Sequence, residues 1–325
     1  MPDRSPRSRA ARLLVPALVA MALLPWLGTA SAAAAPVYPH QSIGNRGVDV
    51  KAIQWFLLHH GDGPRVDGIY GSSTAAAVKT FQAAHELPVT GQVDGRTWAK
   101  LVVRVETGTK GDAVRALQRQ LIDKRGSDLK VDGVYGTATK RALTRFQNHM
   151  GISPTGVAGP LTWRYLIAHF ERPVFAGKVC DYQVGNGLAD WGTAAAIGQL
   201  EAAAFRVVDL GHGRVAVGDI GLEHGGNIAL HQSHERGLDV DIRPMRKNKD
   251  QCRWGVNYRW STYDRAATRD LIKAIRATAP GHVKLIYFND PVLIREGLTR
   301  YYSGHDDHLH IRYCEKIHSV RAYDC

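Results

Sequence analysis

Past Leu27 the chain has no apolar run approaching the roughly 20 residues that a bilayer span needs. It has no Cys-x-x-Cys, which argues against a metal site built on close cysteine pairs. Its short glycine-rich pieces, Gly211-His212-Gly213 and His224-Gly225-Gly226, lack the strand-to-helix setting of a phosphate loop. No strand-to-helix elbow surrounds Ser233, so its place beside His234 does not make a serine hydrolase. Basic residues are scattered and form no recognition helix or aromatic sheet, which argues against nucleic acid as a partner.

What is present begins with an export signal. Arg4, Arg7, Arg9 and Arg12 precede an apolar run from Leu13 to Leu27, and Ala30-x-Ala32 is a small-x-small cleavage site. Residues 1–32 therefore read as a secretory signal peptide. A retained anchor is the alternative, disfavoured by Pro16, Pro25 and the short run. No cysteine follows to carry a lipid, and no Arg-Arg pair marks twin-arginine export. The expected mature chain is secreted, associated with the cell wall and without a membrane span. Removing residues 1–32, with four arginines and Asp3, lowers the formal charge from +12 to +9. That balance suits an anionic surrounding such as an acidic wall. Cys180, Cys252, Cys314 and Cys325 are an even set in an exported chain and imply two disulfides. The expected pairing is Cys180–Cys325, closing the domain ends, with Cys252–Cys314.

The first half is an internal duplication. Val66-Asp67-Gly68-Ile69-Tyr70-Gly71 returns as Val131-Asp132-Gly133-Val134-Tyr135-Gly136, Phe81-Gln82 as Phe146-Gln147, and Thr97-Trp98 as Thr162-Trp163. Each copy parses as three helices. Val50, Ile53, Leu57 and Leu58 share one helical face, and Val114, Leu117, Gln118 and Leu121 repeat it. Asp-Gly at 67–68 and 132–133 marks a turn. Ser73 or Thr74, and Thr137 or Thr139, are expected to cap the second helices. Tyr70, Phe81 and Trp98 read as core. These repeats resemble the three-helix peptidoglycan-binding domain, a resemblance that implies binding to wall glycopeptide.

The pattern changes after a linker at 169–179 that contains Pro173 and Gly177. A helix is expected over 191–204 and another over 264–279. Short apolar runs at 206–210, 214–218, 237–242, 284–288 and 309–313 read as strand candidates, with 284–288 buried. This mixture predicts an α+β domain with a small antiparallel sheet.

Two segments of that domain carry the chemistry: His231-Gln-Ser-His234-Glu-Arg-Gly237-Leu-Asp239-Val-Asp241 and His305-Asp-Asp-His308-Leu-His310. On a strand, residues two apart share a face, so Asp239 projects with Asp241 and His308 with His310. Leu238, Val240, Ile242, Leu309 and Ile311 then face the core. A catalytic zinc takes about three protein ligands and keeps one position open for water, whose pKa falls to about 7. His234, Asp241 and His310 are the expected ligands, and His308 the group that takes a proton. Asp239 is either a ligand or the orienter of a ligand histidine. Asp306 and Asp307 read as turn or supporting residues.

The two segments together resemble the penicillin-insensitive murein endopeptidase family, within the wider lysostaphin-type and D-alanyl-D-alanine metallopeptidases. Gly218-Asp219-Ile220, Gly225-Gly226 and Phe288-Asn289 add to the likeness. The resemblance implies zinc held by His234, Asp241 and His310, with His308 as base. It places His231 and His305 near the metal, touching either zinc or substrate; the metal-site candidates are therefore His231, His234, Asp241 and His310, and the catalytic candidates His305 and His308.

The chain is thus expected to be multidomain: signal peptide 1–32, all-α peptidoglycan-binding repeats at 40–103 and 104–168, linker 169–179, and an α+β zinc peptidase domain at 180–325. The expected function is a zinc-dependent endopeptidase on peptidoglycan cross-links. The alternatives are a D,D- or L,D-carboxypeptidase and a non-catalytic wall-binding protein.

Overall fold

A computed structural model describes residues 35–61, 63–183, 188–229 and 231–325; the expected signal segment lies outside them. The first repeat holds α1 (Val48–His59), α2 (Ser72–Ala84) and α3 (Gly95–Leu101). The second holds α4 (Asp112–Arg125), α5 (Thr137–His149) and α6 (Pro160–Ala168). The duplicated glutamines tie each unit together. In the first repeat, Gln54 accepts from the backbone of Asp67 and Gly68 and donates to Ile69. Gln118 repeats the contacts to Gly133 and Val134. Thr74 and Thr139 do not cap helices. Each is buried and accepts a hydrogen bond from its glutamine, while Gly71 and Gly136 stand at the N-caps. A hydroxyl buried there is more valuable to an amide that must be satisfied than to a helix end open to water.

One apolar core runs through both repeats, from Val50, Phe56 and Trp98 to Leu117, Phe146 and Trp163. Within it lies a buried ion pair. Lys124 Nζ on α4 reaches Asp49 Oδ1 on α1 at 2.8 Å and the Ile167 carbonyl at 2.6 Å, and Gln120 donates to the same Asp49 oxygen at 2.8 Å. A pair removed from water this way needs such extra partners to offset its desolvation.

The remaining elements are β1 (Val179–Asp181), α7 (Ala194–Asp209), β2 (Val215–Val217), β3 (Asp239–Ile242), α8 (Arg265–Thr278), β4 (Val283–Tyr287), α9 (Pro291–Arg295) and β5 (Leu309–Tyr313). The five strands form one sheet in the order β1-β2-β3-β5-β4. Leu238, Val240, Ile242, Leu309 and Ile311 pack with Leu200 and Val207 of α7 and Leu271 and Ile275 of α8, the core face read from alternation. Three expectations change. The sheet is mixed, because β1 pairs parallel to β2. The run 206–210 is the last turn of α7 and its cap, since Val207 is buried on the helix's apolar face. Strand β4 is only half-buried because it is the sheet edge.

The disulfides also differ from expectation: they are Cys180–Cys252 and Cys314–Cys325, with Cα atoms 5.9 and 5.2 Å apart. Strands β2 and β3 lie between β1, which carries Cys180, and β5, which Cys314 follows. Three strand spacings are about 14 Å, beyond the reach of a disulfide. The tail instead folds back on Glu315, whose amide bonds Tyr323 and whose carbonyl receives Cys325, so Cys325 closes on Cys314.

The repeats dock directly on the sheet domain. Gly44 accepts from Gln199 at 3.2 Å, and Arg46 Nε donates to Thr278 at 2.9 Å. At Gly47, with φ of +107°, a Cβ would lie 2.3 Å from the Ala194 carbonyl oxygen. Between the two halves, Glu171 exchanges backbone hydrogen bonds with Gly192 and Val174 donates to Glu201. Among the described residues no helix is long and apolar enough to cross a membrane.

Lys124→Met should lower unfolding free energy by about 3–5 kcal/mol, because Asp49 is left in the core with only Gln120 to meet it. Denaturant unfolding measures the loss, and Asp49→Leu in the same chain should recover much of it. A second expectation concerns Glu315, where burial and the nearby Asp49 charge push the carboxyl up to about 8 against one backbone donor, His40. A raised acid binds its proton more tightly folded than unfolded, so stability falls as pH rises from about 4.5 to 8. Glu315→Gln should flatten that fall, on the order of 2–4 kcal/mol, when melting is followed across this range.

Candidate metal centre

Strand register brings the two histidine segments together. Asp241 on β3 stands opposite His310 on β5, and Asp239 opposite Arg312. His310 Nδ1 lies 3.0 Å from Asp241 Oδ1 and 3.3 Å from His234 Nε2. His234 Nε2 is 3.4 Å from Asp241 Oδ2. His231, His234 and Asp241 each bring one ligand atom within 4.8 Å of the others, a group able to hold a metal ion. His231 Nδ1 is 4.0 Å from Asp241, while its Nε2 is bonded to Asp219 at 3.1 Å.

The imidazoles are aimed by their second nitrogens. His234 Nδ1 meets the Ile220 carbonyl at 3.0 Å, so it carries the proton and leaves the Nε2 lone pair toward Asp241 and His310. His310 Nε2 meets Asp239 Oδ1 at 3.0 Å, which leaves its Nδ1 facing the same point. His234 itself has φ of +76°, a left-handed backbone rare for a residue with a side chain. Such strain persists only where surroundings enforce it, and the His234 amide is held by Asp239 Oδ2 at 3.1 Å. Three residues on, Gly237 has φ of +63° and sits where a Cβ would fall 2.9 Å from Gly192 Cα. That requirement explains the glycine between His234 and Asp241.

Asp239 is fully buried and acts as a hub. Besides His310 and the His234 amide it accepts from Arg312 Nε at 2.7 Å and Tyr323 Oη at 2.7 Å. Burial alone would raise its pKa, but His310 and Arg312 hold it well below the usual carboxylate range. Asp241 is likewise held low against burial, by hydrogen bonds with His234 and His310. Burial works against a charge on His310 too, yet its two aspartates raise it to about 9.

His308 precedes β5 rather than lying on it, and its ring is 4.6 Å from that of His305. His308 Nδ1 bonds Asp307 at 2.9 Å and His305 Nδ1 bonds the Ser303 carbonyl at 3.1 Å. Burial lowers His305, whereas at His308 Asp307 and Asp241 outweigh burial and raise it. Both histidines line an open cleft of about 630 Å³ with His231, His234, Asp241 and His310. Asp306 bonds Asn289 at 2.8 Å and contacts Arg259, serving the loop rather than the cleft. An adjoining groove of about 480 Å³ shares Tyr182 and His308 and adds Arg243, Trp254 and Trp260.

Sequence reasoning did not reach Tyr182, Tyr287, Tyr302, Arg312 or Tyr323. Arg312 was legible in principle, being two residues beyond His310 on one strand face; Tyr323 was not, because the tail's return sets it. Asp219 appeared only as part of a motif, and its bond to His231 comes from the fold.

Comparison with known proteins matches this architecture. The peptidoglycan binding domain family matches residues 46–101 and 110–166. The penicillin-insensitive murein endopeptidase family matches residues 186–286, which includes His231, His234 and Asp241 and stops before His305. A zinc D-Ala-D-Ala carboxypeptidase of Streptomyces albus G is 37% identical over 95 residues, 28% of this chain and 35% of that protein. An uncharacterized protein of Kitasatospora aureofaciens is 46% identical over 59 residues, 17% of this chain and 48% of that one. The N-acetylmuramoyl-L-alanine amidase CwlL of Bacillus licheniformis is 32% identical over 105 residues, 30% of this chain and 29% of that one. The chain thus spans between about a third and a half of these curated relatives. Two stretches that match the peptidoglycan binding domain family therefore stand before one that matches the penicillin-insensitive murein endopeptidase family.

Proposed function

We propose that this chain is a secreted, zinc-dependent peptidase that hydrolyses peptide cross-links of peptidoglycan, held on the wall by its repeats. The observation that carries the reading is the meeting of His234 Nε2, the Asp241 carboxylate and His310 Nδ1 in an open cleft. Two imidazole nitrogens and a carboxylate oxygen, with both histidine tautomers set by second partners, are a donor set that suits zinc. His231 borders the same point and completes the group. Zinc bound there supplies Lewis acidity to a peptide carbonyl and acidifies water at neutral pH.

The chain's own residues do the rest. Asp239 orients His310 and, through the His234 amide, the strained backbone beside it. His308 donates Nδ1–H to Asp307, so its Nε2 is free to take a proton from water and return it to the leaving amine. His305, at ring contact with His308, stands where it meets substrate or steadies that transfer. The groove bearing Trp254, Trp260 and Arg243 gives a polymer more surface than the cleft alone. The repeats add a second, linked attachment, which raises local concentration on an insoluble substrate. A carboxypeptidase is the second reading, favoured by the likeness to the Streptomyces albus G protein. Product masses decide: cross-linked dimers become monomers in one case, and a free terminal amino acid appears in the other.

His234→Ala, Asp241→Ala and His310→Ala should each lose zinc from the cleft together with peptidoglycan digestion, measured by metal analysis and mass spectrometry of released fragments. His308→Ala should keep that zinc and lose about 10²–10⁴-fold in rate. Digestion by His308→Ala at the wild-type rate would overturn its assignment. Tyr323→Phe removes one of four donors to Asp239, so zinc affinity by chelator competition should fall roughly 10-fold, with the melting temperature lowered by the loss of one buried hydrogen bond.

A further inference from the structure

We infer that the seam between the second repeat and the carboxy-terminal domain is a separate metal site, formed by His149, His169, His224 and Glu223 and suited to a divalent transition ion of zinc's class. His149 ends α5 and His169 follows α6, while Glu223 and His224 lie on a turn of the other domain. His149 Nε2 is 2.9 Å from Glu223 Oε1 and His169 Nε2 is 3.4 Å from it. These three residues each offer a ligand atom within 4.8 Å of the others. The three imidazoles are mutually close, with ring centroids 6.0 Å apart for His149 and His169, 5.4 Å for His149 and His224, and 5.7 Å for His169 and His224. Imidazoles sharing one tetrahedral ion at about 2.0–2.1 Å per bond hold their centroids roughly 5 Å apart. The rings therefore need only a small inward movement to share an ion.

An independent observation points the same way. The His169 side chain is 1% exposed, yet its Nε2 has no hydrogen-bond partner. Its Nδ1 meets the Phe170 carbonyl and so carries the proton, which leaves the Nε2 lone pair buried and 3.4 Å from Glu223 Oε1. A buried polar atom without a partner is costly, and nitrogen in this tautomer is what a metal takes. Arg125 also contacts Glu223, at the same Oε1 that faces His149 and His169, and the carboxylate's second oxygen gives it a way to serve a guanidinium and an ion together. Nitrogen donors with one carboxylate favour zinc and its neighbours over calcium or magnesium.

An ion here would staple the wall-binding half to the catalytic half. It would also buttress the first histidine segment, because Gly226 on the same turn donates to the Glu235 carbonyl. This site is distinct from the cleft and stands whether or not the cleft binds zinc.

The test uses the full chain, stripped with chelator and reloaded with zinc alone. His234→Ala isolates the seam: it should retain one ion per chain, and zinc should still raise its melting temperature. Adding His149→Ala and His224→Ala, both exposed and so harmless to folding, should abolish both effects. In an otherwise unchanged chain, the same pair should leave one ion in the cleft and leave peptidoglycan digestion intact. A His234→Ala chain that takes up no zinc, or keeps its ion after loss of His149 and His224, overturns the proposal. If the cleft reading fails instead, the unaltered chain binds the seam ion alone.

Discussion

The carboxylate of Asp239 is the constraint on which the candidate metal centre depends. It has no solvent exposure and receives four donors from separate parts of the chain: the His234 amide, His310, Arg312 and Tyr323. Each donor fixes something. The first holds a residue with positive φ, the second sets an imidazole tautomer, the third supplies a compensating charge, and the fourth ties in the returning tail. A buried carboxylate is tolerable only when so fully met, and the same completeness makes its surroundings rigid.

Around this hub the molecule divides labour by stiffness. The sheet supplies two paired strands whose register sets Asp241 beside His310, and α7 and α8 cover the opposite face. The repeats use duplicated glutamines and tryptophans to make a single core, then pack through Gly44, Arg46 and Gly47 onto α7 and α8. The repeats are therefore not a loosely tethered accessory. Their helices form one unit with the carboxy-terminal half, and the histidine cluster at the seam lies where the two meet.

Much of this was legible because it is local. The repeat could be read from Val-Asp-Gly-x-Tyr-Gly and Phe-Gln, since each motif performs its task within one unit. Alternation on β3 and β5 placed Asp239, Asp241 and His310 on one face, since a strand leaves no choice. The errors share a cause. Thr74 carries an N-cap's chemistry, but a distant glutamine claims it. Val207 looks like a strand residue, but it lies in α7 and packs into the core with α8 and the sheet. The disulfide partners depend on how many strands intervene, which spacing along the chain does not reveal.

The amino-acid sequence by itself determined the duplicated helical half, the α+β half, and the pair of segments from which metal ligands would come. Those follow from periodicity and side-chain chemistry, which act over a few residues. Only the tertiary structure decided that Asp239 bonds His310 and the His234 amide, that Tyr323 completes its partners, and that His149 and His169 meet Glu223 and His224. These residues are separated by tens of positions, and only the close packing of buried polar groups says which of them must satisfy one another.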